Sequence, residues 1–121
     1  MKIIYFFQIS FRQTHGEDCS HHSGATPDLV VWPKDVTDVS EIAKFCNSER
    51  LPIIPYGTGT GLEGGLTASK GGLCMNLQKL NQVLDYNPED FDVKIQAGVT
   101  RHALNHYIRN EGKIRFGIIK V

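Results

Sequence analysis

The segment Pro55-Tyr56-Gly57-Thr58-Gly59-Thr60-Gly61-Leu62-Glu63-Gly64-Gly65 holds the residues whose types and spacing point most directly to chemistry. Five of the nine residues from Gly57 to Gly65 are glycine. That composition is costly in folding entropy, so the backbone rather than the side chains must be what is needed there. Without Cβ atoms, successive N–H groups can converge on one point, and a nest of amides holds a diphosphate-like anion without help from a cationic side chain. No Lys or Arg lies between Pro55 and Ser69. The hydroxyls of Thr58 and Thr60 would add donors, and Glu63 should turn outward, away from the anion. A flexible surface loop is the plain alternative for any glycine-rich run. The setting argues against it, because the loop follows directly on a β-α-β pattern, a frequent place for phosphate contacts.

Inside this loop, Gly59-Thr60-Gly61-Leu62-Glu63-Gly64 matches G-x-G-x-x-G letter for letter, and Asp85 stands about where a ribose-binding acid would. A Rossmann fingerprint must also open a helix. The residues that follow, Gly65-Leu66-Thr67-Ala68-Ser69-Lys70-Gly71-Gly72, are too short and too broken by glycine for one. A nicotinamide-binding Rossmann protein therefore stands as the alternative, to be favoured by a helix immediately after Gly64 and disfavoured by a strand beginning near Leu73. The absence of G-K-[ST] excludes a P-loop.

Two histidine groupings invite a metal. His15-Gly16-Glu17-Asp18-Cys19-Ser20-His21-His22 packs every common ligand type into eight residues. Zinc needs four ligands converging tetrahedrally, and a short polar stretch before a strand is more simply a solvated loop. His102 and His106 stand four apart on a helical pattern, with no Glu at 103 and no third ligand, opposite the apolar face. Exposed histidines are the simpler account, and no metal site is assigned.

The elements that must position the loop follow from periodicity. Leu29-Val30-Val31-Trp32 is an apolar run fenced by Pro27 and Pro33, as a buried strand would be. Thr37 to Arg50 repeats Val39, Ile42, Ala43 and Cys46 at helical spacing, with Asp35 and Asp38 at its start. Pro52-Ile53-Ile54-Pro55-Tyr56 is a second short strand, with its prolines confined to the ends. Strand, helix and strand make a right-handed β-α-β unit, with both strands parallel in one sheet and the helix on a face. Beyond the loop the period becomes two. Leu73, Met75 and Leu77 form one half-buried strand and Val93, Ile95, Ala97 and Val99 another, with a further strand over 82–86 joined to the last by the turn Asn87-Pro88-Glu89-Asp90. A second helix runs from Thr100 as N-cap to Gly112 as stop, with Ala103, Leu104, Tyr107 and Ile108 on one face. The fold class is α/β, a mixed sheet containing a β-α-β unit.

A chain of 121 residues with 40% hydrophobic and 21% charged residues and zero formal net charge fits one small globular domain with one core. Lys and Arg are scattered without a basic patch, so no nucleic-acid partner is expected. Cys19, Cys46 and Cys74 are odd in number and lack C-x-x-C spacing, which points to a reduced compartment, with Cys46 and Cys74 as small buried hydrophobes. The run Ile3-Ile4-Tyr5-Phe6-Phe7 falls far short of a membrane span and reads as an N-terminal strand or an atypical leader.

Four segments in order, Pro27-Asp28-Leu29-Val30-Val31-Trp32-Pro33, the loop Pro55 to Gly65, Gly71-Gly72-Leu73-Cys74-Met75-Asn76-Leu77 and Gln96-Ala97-Gly98-Val99-Thr100, resemble the first subdomain of FAD-binding domains of the p-cresol methylhydroxylase type. Within that superfamily the resemblance is nearest to the mitochondrial flavin-dependent D-lactate dehydrogenases, and it covers roughly residues 15–112. The resemblance implies FAD as cofactor, its pyrophosphate over Gly57, Thr58, Gly59, Thr60 and Gly61, with Tyr56, Leu62, Gly64 and Gly65 shaping the turn. Some relatives bond the flavin to a histidine in this loop. The matching position here is Thr60, which implies non-covalent FAD. The implied reaction is oxidation of a D-2-hydroxy acid to a 2-oxo acid by hydride transfer to FAD, with an electron acceptor such as cytochrome c and a mitochondrial location. The substrate residues would belong to a cap domain that this chain lacks, so no catalytic residue is carried over.

The resemblance divides the chain into an N-terminal segment 1–22, an incomplete FAD-binding domain 23–112 and a divergent tail 113–121, where relatives continue with a W-F-P-x-D-P-G type segment. A truncated, non-catalytic product is a further alternative.

Overall fold

The computed structural model describes residues 4–6 and 9–110. Within these, the elements are β1 (Ile4–Phe6), α1 (Ile9–Thr14), β2 (Leu29–Trp32), α2 (Val36–Ser48), β3 (Ile53–Tyr56), β4 (Leu73–Asn76), β5 (Val83–Asn87), β6 (Asp92–Ile95) and α3 (Arg101–Asn110). The expected helix stop at Gly112 and the tail 113–121 lie outside the described residues. Length alone suggests one core, yet the chain divides between Lys79 and Leu80 into two compact units.

The first unit is built on a four-stranded sheet in the order β1-β2-β4-β3. As expected, β2 and β3 run parallel in one sheet, but β4 lies between them and pairs with both in parallel. β1 adds an antiparallel edge, with Tyr5 opposite Val31, so residues 4–6 form a strand. The start of β4 is fixed across the sheet by Asp28. Its amide donates to the Gly72 carbonyl at 2.8 Å, while the Gly72 amide donates to its Oδ2 at 2.6 Å.

Helix α2 starts where its cap residue allows. Asp35 is extended and its side chain accepts from the Asp38 amide at 2.9 Å, satisfying one of the amides that a helix start leaves free. The helix then buries Ile42 and Cys46 against Val31, Leu73 and Met75. The register pairs Val30, Cys74 and Ile54 across the opposite face, where Ile54 clusters with Leu66, Ala68 and Tyr56. Each fully buried aliphatic side chain in these clusters contributes roughly 1.5–3 kcal/mol.

The half-buried reading of the Leu73 strand is corrected, because all four residues of β4 are buried. A strand between two parallel neighbours has both faces covered, so the alternation of residue types there does not mark a wet side. All three cysteines are free, with Cys46 and Cys74 buried and Cys19 exposed. Burial pushes the Cys74 thiol up to about 12 and the Cys46 thiol above its ordinary value, so both act as small apolar groups.

The second unit contains the antiparallel pair β5-β6 and α3. The Ala103 amide donates to the Thr100 hydroxyl oxygen at 3.1 Å, which makes Thr100 the expected N-cap. The α3 stripe centres on buried Leu104 and Ile108, with Tyr107 half-buried; Ala103, expected on that face, is exposed. The strand expected to run to Val99 ends at Ile95, because Ala97 and Gly98 turn the chain. In β6 only Val93 is half-buried. His102 and His106 are both exposed, and His106 Nε2 pairs with the Asn110 amide at 2.9 Å.

Candidate functional site: a glycine loop with free amides

β3 ends at Tyr56 and the chain runs into the glycine loop. No helix follows: Gly65 and Leu66 form a turn, and the next regular element is β4, starting at Leu73. The Rossmann alternative required a helix at that point, so it is set aside. Asp85, its proposed ribose acid, lies in β5 and accepts from the Tyr86 amide and the Asn87 side chain instead.

The loop's carbonyls and amides have different fates. The Tyr56 carbonyl accepts from the Leu77 amide at 3.0 Å, the Gly61 carbonyl from Cys19 N at 2.9 Å, and the Gly64 carbonyl from Thr67 N at 3.1 Å. The Gly59 carbonyl accepts from the Cys19 thiol at 3.7 Å. Among the described residues, no backbone N–H from Gly57 to Gly61 donates to a main-chain carbonyl. The acceptors are thus turned into the protein and the donors remain unspent, the polarity that an anion requires.

Glycine is required in this loop for two different reasons. Gly59 and Gly64 have φ of +76° and +74°, and a Cβ would stand 2.8 Å from the Tyr56 hydroxyl at the first and 2.6 Å from His22 Cδ2 at the second. The fold itself demands glycine there. At Gly57 and Gly65 a Cβ would meet nothing within 4 Å and φ is not left-handed. Nothing among the described residues requires glycine at those two positions, whereas an anion pressed against the backbone would. The loop therefore fits a diphosphate group.

Tyr56 supports the loop from beneath rather than lining it. It is half-buried, its ring lies 4.3 Å from the His15 ring, and its hydroxyl sits under Gly59. Burial, with Cys74 nearby, raises its phenol above the ordinary value, so it stays protonated. The Thr58 and Thr60 hydroxyls lie 3.0 Å apart and one donates to the other, leaving a single hydroxyl proton for a ligand. Leu62 and Glu63 are exposed, Glu63 as expected.

The polar stretch 15–22 departs from its sequence reading. His15 is 6% exposed, packed between Trp32 and Tyr56, so it is a core residue rather than part of a solvated loop. The Asn76 side-chain oxygen accepts from the Gln78 amide, which turns the Asn76 Nδ2 toward His15 Nε2 at 2.8 Å. Nε2 must then accept, which assigns the ring proton to Nδ1, where it donates to the Phe11 carbonyl at 2.6 Å. Asp18 lies beside Gly61, Cys19 bonds to Gly59 and Gly61, and His22 packs on Gly64. Among the described residues no group of three or more His, Cys, Asp or Glu converges on a common point. The density of polar side chains is the one sequence signal in this stretch, and it points as readily to a metal as to contacts with a loop forty residues away.

A mixed sheet whose central parallel strands lead into a loop of unspent amides makes an α/β module whose loop suits an anion. Residues 27–116 match the family model described as FAD binding domain, and the chain belongs to that family. It is 54% identical over 101 residues to a protein of Danio rerio named probable D-lactate dehydrogenase, mitochondrial, an alignment covering 84% of this chain and 20% of that one. It is 37% identical over 103 residues to the Arabidopsis thaliana mitochondrial D-lactate dehydrogenase (cytochrome), covering 84% of this chain and 18% of the relative. Among solved structures, p-cresol methylhydroxylase with substrate bound superposes with a TM-score of 0.77 at 20% identity, over 90% of this chain and 22% of that one, which shows a shared fold. The chain spans about a fifth of the length of the curated relatives it matches. The mixed α/β fold of p-cresol methylhydroxylase type and the cofactor FAD, both implied by the sequence resemblance, are those of this family.

Proposed function

We propose that this chain is the diphosphate-holding part of a mitochondrial flavin-dependent D-lactate, or related D-2-hydroxy acid, dehydrogenase. The observation that carries the reading is the set of amides from Gly57 to Gly61 left without carbonyl partners. The 54% identity to the zebrafish relative across this region supports the choice of lactate-type chemistry.

The Gly57–Gly61 amides would hold the diphosphate of FAD, aided by the one free hydroxyl proton of the Thr58–Thr60 pair. Tyr56 supports the loop from the sheet, and the left-handed turns at Gly59 and Gly64 set its path. Leu62, 66% exposed, and Gly65 complete the turn and offer an apolar surface to the cofactor. FAD, when bound, would supply a two-electron acceptor: a D-2-hydroxy acid would give up a hydride to the flavin and its hydroxyl proton to become a 2-oxo acid, with the electrons passing on to an acceptor such as cytochrome c. The residues that choose and orient that substrate belong to other parts of the enzyme. Thr60 has no imidazole with which to bond the flavin ring, so the cofactor is held without a covalent link.

Titrating the protein with FAD and following flavin fluorescence tests this reading. Saturation at one FAD per chain is expected, with all of the flavin recovered in the supernatant after acid precipitation. No saturable change would overturn the cofactor assignment, and flavin retained in the pellet would overturn the non-covalent mode. No helix among the described residues is long and apolar enough to cross a membrane.

A further inference from the structure

The polar stretch that resembles a metal motif lies against the glycine loop, and one atom in it is unaccounted for. Asp18 Oδ1 accepts from the Ser20 amide at 3.0 Å, but Oδ2 is buried with no hydrogen-bond partner among the described residues. A buried carboxylate oxygen without a donor is costly to keep, so its retention asks for a reason. Oδ2 faces the loop: a Cβ added at Gly61 would stand 3.4 Å from it. The next residue, Cys19, bonds to the loop through its amide at Gly61 and its thiol at Gly59, so the Asp18 carboxylate is brought to the loop by its neighbour.

We propose that Asp18 is a positioning residue for the cofactor loop, its carboxylate drawing the amides of the Gly64–Leu66 limb toward the protein so that those of Gly57–Gly61 remain directed at the ligand. This rests on the reading of the loop as the diphosphate site. The carboxyl is held below the ordinary carboxylate range, first by the Ser20 hydroxyl and amide and then, against the effect of burial, by the backbone amides of Leu66 and Gly64. Neither of the last two closes a hydrogen bond on Oδ2, yet both present their positive ends to the carboxylate. The charge is therefore placed where it orders amides that the ligand does not use.

The proposal runs against simple Coulomb reasoning, which gives it a sharp test. A carboxylate close to a diphosphate repels it, so a charge that acted only through space would make Asp18→Asn bind FAD more tightly. A positioning role predicts the opposite. The Asn side chain keeps the size but can turn an N–H toward the loop amides, and FAD affinity should fall about tenfold, the value of one hydrogen bond to a charged group. In the protein without FAD, amide hydrogen exchange should quicken across residues 57–66 while the melting temperature stays unchanged.

Unchanged or tighter FAD binding with unchanged exchange in that segment would overturn the proposal. Quickened exchange in a protein whose wild type takes up no FAD would leave the Asp18 contact standing and the cofactor reading refuted. If Asp18→Asn lowers the melting temperature of the whole unit, Asp18→Glu decides instead. Retaining the charge but displacing it by one methylene should weaken FAD at a native melting temperature, and native affinity would overturn the assignment.

Discussion

Gly57→Val should bind FAD at least about 100-fold more weakly than the wild type while melting at the same temperature or slightly above it. A Cβ at this position meets no atom of the described residues within 4 Å and the backbone is not left-handed, so the described fold has no objection to a side chain. Removing glycine there restricts the unfolded chain, an effect that stabilises by about 0.4–1 kcal/mol where the native backbone is compatible. The diphosphate, by contrast, must reach the Gly57 and Thr58 amides, and a branched side chain stands in its way. Losing two hydrogen bonds to a charged group, at about 1.5–3 kcal/mol each, corresponds to two orders of magnitude or more. Gly59→Ala makes the control. With φ at +76° and the Tyr56 hydroxyl 2.8 Å from the new methyl, it should lose stability as well as affinity. A calorimetric melt paired with a flavin titration separates the two behaviours. A Gly57 variant that binds FAD normally would move the diphosphate elsewhere.

The second large effect is expected at His15. Replacing it with alanine removes a ring packed against Trp32 and Tyr56 and takes from the Asn76 side-chain amide, itself 1% exposed, its closer acceptor at 2.8 Å, leaving it Gln78 Oε1 at 3.3 Å. Truncating a large buried ring costs about 3–5 kcal/mol. In a unit of this size that lowers the melting temperature by roughly 10 °C or more. His15→Gln should recover part of the loss, because its Oε1 can reach the place of Nε2 and accept from Asn76, though it gives up the bond to the Phe11 carbonyl. Thermal unfolding of the two variants side by side tests the argument. Equal destabilisation by Ala and Gln would mean that the Asn76 contact carries no weight.

Much of this architecture was legible because its signals are local. Prolines at 27 and 33 bracket β2, Pro52 precedes β3 and Pro55 lies near its end, and the recurrence of Ile42 and Cys46 marks the buried side of α2. The glycine loop was legible because five glycines in nine residues have few other uses. What escaped was whatever depends on the chain returning from a distance. That β4 slots between β2 and β3 follows from a crossover, which periodicity does not record. The burial of β4 on both faces follows from the same placement. His15 gives no sign in sequence that it will lie against Tyr56 and Asn76, since its partners are forty and more residues away. Asp18 and Cys19 meet the loop for the same reason, through contacts that exist only once the sheet has formed. The apolar side chains of the second unit show the converse limit. Ile95 alternates as a buried strand residue should, yet it is 37% exposed among the described residues.

Amide proton and nitrogen resonances followed while FAD is added give the most direct view of the loop. The account predicts that the N–H groups of residues 57–61 move furthest, in the direction of stronger hydrogen bonding, and exchange more slowly once the cofactor is present. Resonances of that segment left unmoved while the flavin binds would contradict it.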